Sequence, residues 1–298
     1  MKKGFWSRWW ARVLAVAVGA VCASAVASPQ SAAALQAKYA TLVEPLQRNQ
    51  FQRALVLDSS ETPERISGDV YAVLQYPFGV VRAGLNSPQN WCDVISLHVN
   101  TKYCRPIAGP TGTILRVHVG KKTAEELAAA PRVDFRYSTA ATTPEFMDVR
   151  LDAKNGPLGT SDYRIALEAV ALPNGRTFVH LNYSYAVSFA GRLAMQTYLG
   201  TIGSGKVGFT VVGRRGNGQP DYVGGVRGLV ERNTMRYYLA IDSFLESAGA
   251  APRTTQLEQR LQSWFNAVER YPRQLHEVDR DAYLQMKYAE FARQQTVQ

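Results

Sequence analysis

The spacing of apolar positions changes along the chain, and each change marks an element. Residues 31–47 carry Leu35, Tyr39, Leu42, Val43 and Leu46 at helical spacing, which predicts a short amphipathic helix. Arg53 to Asp58 reads as a strand and Asp69 to Leu74 as a second, running into Pro77-Phe78 and a short helix from Val80 to Leu85 that Asn86-Ser87-Pro88 stops.

From there to about residue 212 the period is two. Leu115, Val117 and Val119 share one face, as do Val133, Phe135 and Tyr137, then Met147, Val149 and Leu151, then Tyr163, Ile165 and Leu167. After a Pro173-Asn174-Gly175 turn, Val179, Leu181, Tyr183, Tyr185, Val187 and Phe189 face one way, while His180, Asn182, Ser184 and Ser188 face the other. This is a meander of antiparallel strands with an apolar, aromatic-rich face and a wet face, on which Arg150, Arg164 and Glu168 are expected to stay solvated. Helical spacing returns from Val223 to Leu245. A linker at residues 247–252 follows, then two more helices at about 254–270 and 277–294. The expectation is an α+β fold: a curved antiparallel sheet gripping a long C-terminal helix, plus extra C-terminal helices.

The first 27 residues stand apart. A basic leader (Lys2, Lys3, Arg8, Arg12) precedes an apolar run from Val13 to Val21 and the small-x-small ending Ala25-Val26-Ala27, the pattern of a cleavable signal peptide. The run is shorter than the ~20 residues a bilayer span needs. The expected location is therefore the bacterial periplasm. The expected division is a signal peptide at 1–27, a helix within 28–49, a ligand-binding domain over 50–246 and a helical extension over 247–298.

Export changes the picture of charge and of cysteine. The formal charge falls from +10 to +6 once the leader is gone, too mild and too scattered for a nucleic-acid surface. Cys92 and Cys104 remain, and in an oxidising compartment they most simply form a disulfide; two separate buried thiols are the alternative.

The region from residue 68 to 105, with its strand, Pro77, short helix, Asn86-Ser87-Pro88 turn and Trp91, resembles the opening of the START, or helix-grip, superfamily. So does the strand pair from Asp162 to Phe189. That superfamily includes polyketide cyclases, pollen-allergen-like proteins and lipid-transfer domains. The resemblance covers roughly residues 50–246 and rests on an order of elements, without a catalytic string. The cysteine pair and the helices after residue 253 depart from the common pattern.

The resemblance implies an apolar cavity between sheet and helix that holds a lipid or other hydrophobic small molecule. Tyr71, Trp91, Phe135, Tyr137, Tyr163, Tyr183, Tyr185 and Phe189 are the candidate lining, since a tyrosine combines apolar surface with a hydroxyl that can orient a polar group. A solid core filled by the same rings is the alternative. Arg232, on the long helix with Arg227, Glu231 and Arg236, is the candidate for a ligand's polar head; a solvated face with internal ion pairs is the other reading.

No other chemistry emerges. Gly200 to Val207 nearly spells a phosphate-binding loop, but Val207 stands where a hydroxyl is required and Lys206 to Val212 reads as a strand, so a glycine-rich hairpin at the cavity mouth is expected. His98, His118, His180 and His276 lack metal-ligand spacing, and no cofactor is expected. Beyond the ligand carrier stand an enzyme of cyclase or hydrolase type on the same scaffold, and an interaction module using residues 254–298. Peripheral contact with a membrane is a further expected partner interaction, and no protein partner can be named.

Overall fold

The computed structural model describes residues 31–200, 205–249 and 252–296. The expected signal peptide at 1–27 lies outside them, as do residues 201–204 of the glycine-rich loop.

Helix α1 (Ala32–Gln47) opens the described chain, capped by the Ser31 hydroxyl. A hairpin of β1 (Leu55–Glu61) and β2 (Arg65–Leu74) leads to two short helices, α2 (Phe78–Leu85) and α3 (Pro88–Ser96). Then comes the meander: β3 (Thr101–Gly109), β4 (Gly112–Val119), β5 (Arg132–Thr142), β6 (Phe146–Asn155), β7 (Thr160–Leu172) and β8 (Arg176–Val187). The last strand returns beside β2, so the order is β1-β2-β8-β7-β6-β5-β4-β3, all antiparallel. Helix α4 (Phe189–Gly200) and a small hairpin, β9 (Val211–Arg214) with β10 (Pro220–Tyr222), precede α5 (Gly225–Glu246). Helices α6 (Arg253–Glu269), α7 (Pro272–Leu275) and α8 (Arg280–Thr296) close the chain. An antiparallel sheet wrapped about one long helix is the helix-grip arrangement.

Helix α5 packs against β2, β1 and β8 of the sheet and against α6. Contact is closest at Gly68, where a Cβ would fall 2.3 Å from the Thr234 hydroxyl; only a glycine lets the helix lie this near the strand. Buried Glu231 locks the same region, taking hydrogen bonds from Ser59, from the Phe209 amide and from the amide and hydroxyl of Thr210. The disulfide joins Cys92 of α3 to Cys104 of β3. The C-terminal helices are continuous with the same core, through Leu261, Trp264, Leu275 and Tyr283.

Several expectations need correction. Tyr71 lies on the outer face of the sheet, because Ile66, Val70, Ala72 and Leu74 take the inner one; it packs beneath α1 with Phe178 and His180. Phe189 is 85% exposed: β8 stops at Val187, and Ser188 turns the chain into α4 by accepting from the Gly191 amide. The outer face is only partly wet. Helix α1 covers Val73, Phe146, Val170 and Phe178 on it, and Glu168 is 3% exposed. Lys206 to Thr210 forms no strand. Ser87-Pro88, which stops α2, also opens α3, with proline at the first helical position, where its missing N–H costs nothing.

Candidate functional site

Strand period two puts Phe135, Tyr163, Tyr183 and Tyr185 on the inner face, and there they meet. The centroids of Phe135 and Tyr163 are 6.3 Å apart, Tyr163 stacks on Tyr185 at 5.2 Å, and Tyr185 lies 5.6 Å from Tyr183. Tyr183 reaches across to Tyr237 of α5 at 5.2 Å, and Tyr237 lies 5.0 Å from the His98 ring, just after α3. Six rings from three strands, one helix and one turn thus run in a line across the interior. Tyr137 is half-buried against the same core, and its hydroxyl contacts Thr139. Trp91 is almost wholly buried in α3 and donates to the Leu85 carbonyl at 2.7 Å, which pins α3 to the end of α2 and keeps the indole off the aromatic line.

Helix α5 is not buried evenly. On α5, Val230, Thr234 and Tyr238 face the sheet and have almost no accessible surface. Leu229, Asn233 and Tyr237, one stripe away at four-residue spacing, are half-buried. Desolvation raises the Tyr237 hydroxyl's pKa, although the side chain keeps some accessible surface. Burial likewise raises Tyr163, Tyr183 and Tyr185, so these hydroxyls are neutral and able to donate. Tyr163 donates to Thr160 at 2.8 Å.

The line ends in charge. Glu277, between α7 and α8, meets Arg236 Nη2 and Lys122 Nζ at 2.7 Å each and Lys206 Nζ at 3.3 Å. Burial works against the Glu277 charge, but Arg236, Lys122 and Lys206 hold its carboxyl below the usual range. Burial also lowers Arg236 and Lys122, and for Lys122 the neighbouring Arg236 and Arg232 add to the effect. Arg232 is buried on α5 and donates to the Val207 carbonyl at 3.3 Å, so neither it nor Arg236 belongs to a solvated face. His98 is 4% exposed. Its Nδ1 accepts from the Asn100 amide at 3.2 Å, which leaves the proton on Nε2. Burial, then Arg236, Lys287 and Lys122, depress its pKa well below the ordinary value, so the ring is neutral.

Helix α8 supports this end from behind. Lys287 donates to the carbonyls of His98 and Thr101 at 2.7 and 2.8 Å and pairs with Glu290, which also pairs with Lys102. Burial lowers Lys287 to about 8.

A cleft of about 980 Å³ opens elsewhere, between the end of β2 and α5–α6. Its walls are largely polar, with Gln259, Gln262 and Asn266 beside the Arg53–Asp242 pair at 2.6 Å; the tyrosine line does not border it. Among the described residues there is no group of three or more metal-ligating side chains and no helix long and apolar enough to cross a membrane.

Sequence reasoning brought Phe135, Tyr163, Tyr183 and Tyr185 to one face and marked Arg232. It missed Tyr237, His98, Lys122, Lys206 and Glu277. These come from separate segments, and the one local cue was the run of charge on α5.

No protein-family model matches the chain, and no curated protein matches it. Solved structures with a similar arrangement include the Zhui aromatase/cyclase from Streptomyces sp. R1128, at 13% identity and a TM-score of 0.32, covering 72% of this chain and 99% of that one. Another is truncated norcoclaurine synthase from Thalictrum flavum, at 12% identity and a TM-score of 0.32, covering 49% of this chain and 91% of that one. A third is human StAR-related lipid transfer protein 5, at 9% identity and a TM-score of 0.29, covering 53% of this chain and 83% of that one.

Proposed function

We propose that this is an exported binding protein that holds a hydrophobic small molecule between the sheet and α5. The observation that carries this reading is the half-buried stripe of Leu229, Asn233 and Tyr237 on α5, whose Tyr237 meets a continuous series of rings. A helix serving only to seal a solid core would bury that stripe as fully as Val230 and Thr234 are buried. The rings supply apolar surface, and neutral hydroxyls supply a few oriented donors.

Peripheral membrane contact fits the far end of the same interior. Leu158, Phe189 and Leu193 are 86%, 85% and 57% exposed, and Ser188 donates its amide to the Gly159 carbonyl, which holds α4 against the β6–β7 turn. A cluster of large exposed apolar side chains is a surface suited to a bilayer.

A second reading, an enzyme on the same scaffold, is favoured by His98, a neutral imidazole whose Nε2–H could polarise a ligand carbonyl. Native mass spectrometry of the full-length product purified from periplasm, followed by solvent extraction, tests the carrier. A stoichiometric apolar molecule is expected. An empty protein that takes up nothing from a mixed lipid extract would refute it.

A further inference from the structure

We infer that the head of the bound molecule is anionic and is received where Lys122, Lys206 and Arg236 converge on Glu277, a conclusion that rests on the apolar-ligand reading above. Three cations share one carboxylate there, at 2.7, 2.7 and 3.3 Å. The acid beyond Glu277, Glu269, is engaged with His276 at 3.0 Å. Glu277 answers buried Arg236, and one carboxylate cannot also neutralise two partly exposed lysines, so positive charge is left over at this end to attract an anion.

The hydrogen bonds point the same way. Arg236 Nε and His98 Nε2 are buried and make no hydrogen bond of normal geometry among the described residues; Asn233 lies beside His98 without closing one. Both atoms are donors, Arg236 by its nature and His98 because the Asn100 amide occupies Nδ1. Two donors without acceptors beside surplus positive charge suit a carboxylate or a phosphate, whose oxygens accept several hydrogen bonds at once. A hydroxyl or sugar head could satisfy the donors and would leave the charge.

Position makes the anion the head of something longer. His98 is the last ring of the aromatic line, and Asn233 belongs to the half-buried stripe of α5 while also accepting from Arg236 at 3.4 Å. An apolar tail along the rings therefore delivers its head to these donors. Lys122 and Lys206 each keep 32% of their side-chain surface, so they stand at the entrance, with Arg236 and His98 within.

The test holds the tail constant and changes the head. The neutral dye N-phenyl-1-naphthylamine is loaded into the full-length protein and displaced by hexadecanol, hexadecanoate or hexadecyl phosphate. Both anions are expected to displace it at concentrations at least about tenfold lower than hexadecanol, and the stronger of the two identifies the head. The double variant Lys122→Met, Lys206→Met, whose side chains are partly exposed, should fold normally and reduce that preference to about threefold or less. Equal displacement by all three, or a preference untouched in the double variant, overturns the anionic head while the apolar site stands. Inorganic phosphate raising the melting temperature as far as hexadecyl phosphate would overturn the amphiphile in favour of a small free anion. Failure to take up the dye or any of the three would sink the binding site and the head together.

Discussion

Two buried histidines, one on each side of the same sheet, are treated in opposite ways. His180, on the outer face of β8, is clamped between Asp69 at 2.8 Å and Glu168 at 2.9 Å, one carboxylate on each ring nitrogen. Burial alone would lower its pKa; the two hydrogen bonds outweigh that and raise it. His98, at the inner end, is deeply buried among several cations, and burial and charge together depress its pKa. The outer cluster alternates sign, with Arg150 also bonded to Asp148, and its charges largely cancel, although Glu168 Oε1 is left without a hydrogen bond. The inner cluster is mostly of one sign and leaves donors over. The lesson is to look for function where buried polar groups fail to cancel, and to assign stability where they do.

The largest expected effect falls on the outer cluster. His180→Leu leaves Asp69 and Glu168 facing an apolar side chain, and breaking a buried pair in this way costs about 3–5 kcal/mol. Urea unfolding read by circular dichroism measures it, and the loss should shrink in acid as Glu168, whose pKa burial already raises, takes up a proton. Lys122→Met is the counterpart, and about 1 kcal/mol or less is expected, because Glu277 keeps Arg236 and Lys206. Equal losses in the two variants would mean that Lys122 is no surplus and would erase the contrast.

Next in size is the disulfide. Cys92–Cys104 closes the loop that contains His98, and replacing both cysteines by serine should cost roughly 3 kcal/mol in the same unfolding experiment. The loop reaches the inner end only. His180 should therefore keep its titration in the serine variant, while His98, freed from close burial, moves back toward an ordinary pKa. Movement of His180 instead would show that the two faces are coupled through the sheet.

Much of the frame was legible in the sequence because each piece of it is local. Periods of two and of about 3.6 located the meander, α1 and α5, and the inner set Val179 to Val187 follows directly from alternation. Tyr71 was misassigned because a tyrosine looks alike on either face until the neighbours of Val70 and Ala72 are known. Phe189 continued the alternation of β8 on paper, and only the capping bond from Ser188 shows where the strand has ended. The basic end could not be read at all. His98, Lys122, Lys206, Arg236 and Glu277 span 180 residues of chain, and nothing in the local spacing of any one of them signals the other four.

The smallest effect is also the most direct test of the comparison, since the two histidines should give pH dependences of opposite sign. For His180 the folded pKa lies above the unfolded value of 6.5, so its contribution is complete below pH 6.5 and is lost as pH rises through the folded value. For His98 the folded pKa lies below 6.5. The unfolded chain then gains a proton that the folded one refuses, and stability falls as pH drops from 6.5 toward the folded value. Each unit of difference corresponds to roughly 1.4 kcal/mol. Proton NMR of the ring Cε1–H signals, assigned with His98→Gln and His180→Leu, reads both directly: one ring should titrate above pH 6.5 and the other should stay neutral well below it. If both moved together near 6.5, neither would feel the charges around it, and the contrast between a cancelled cluster and an uncancelled one would lose its physical basis. A single signal shifting below pH 6.5 on addition of hexadecyl phosphate, and recovering an ordinary titration, would mark His98 as the ring that the anion reaches.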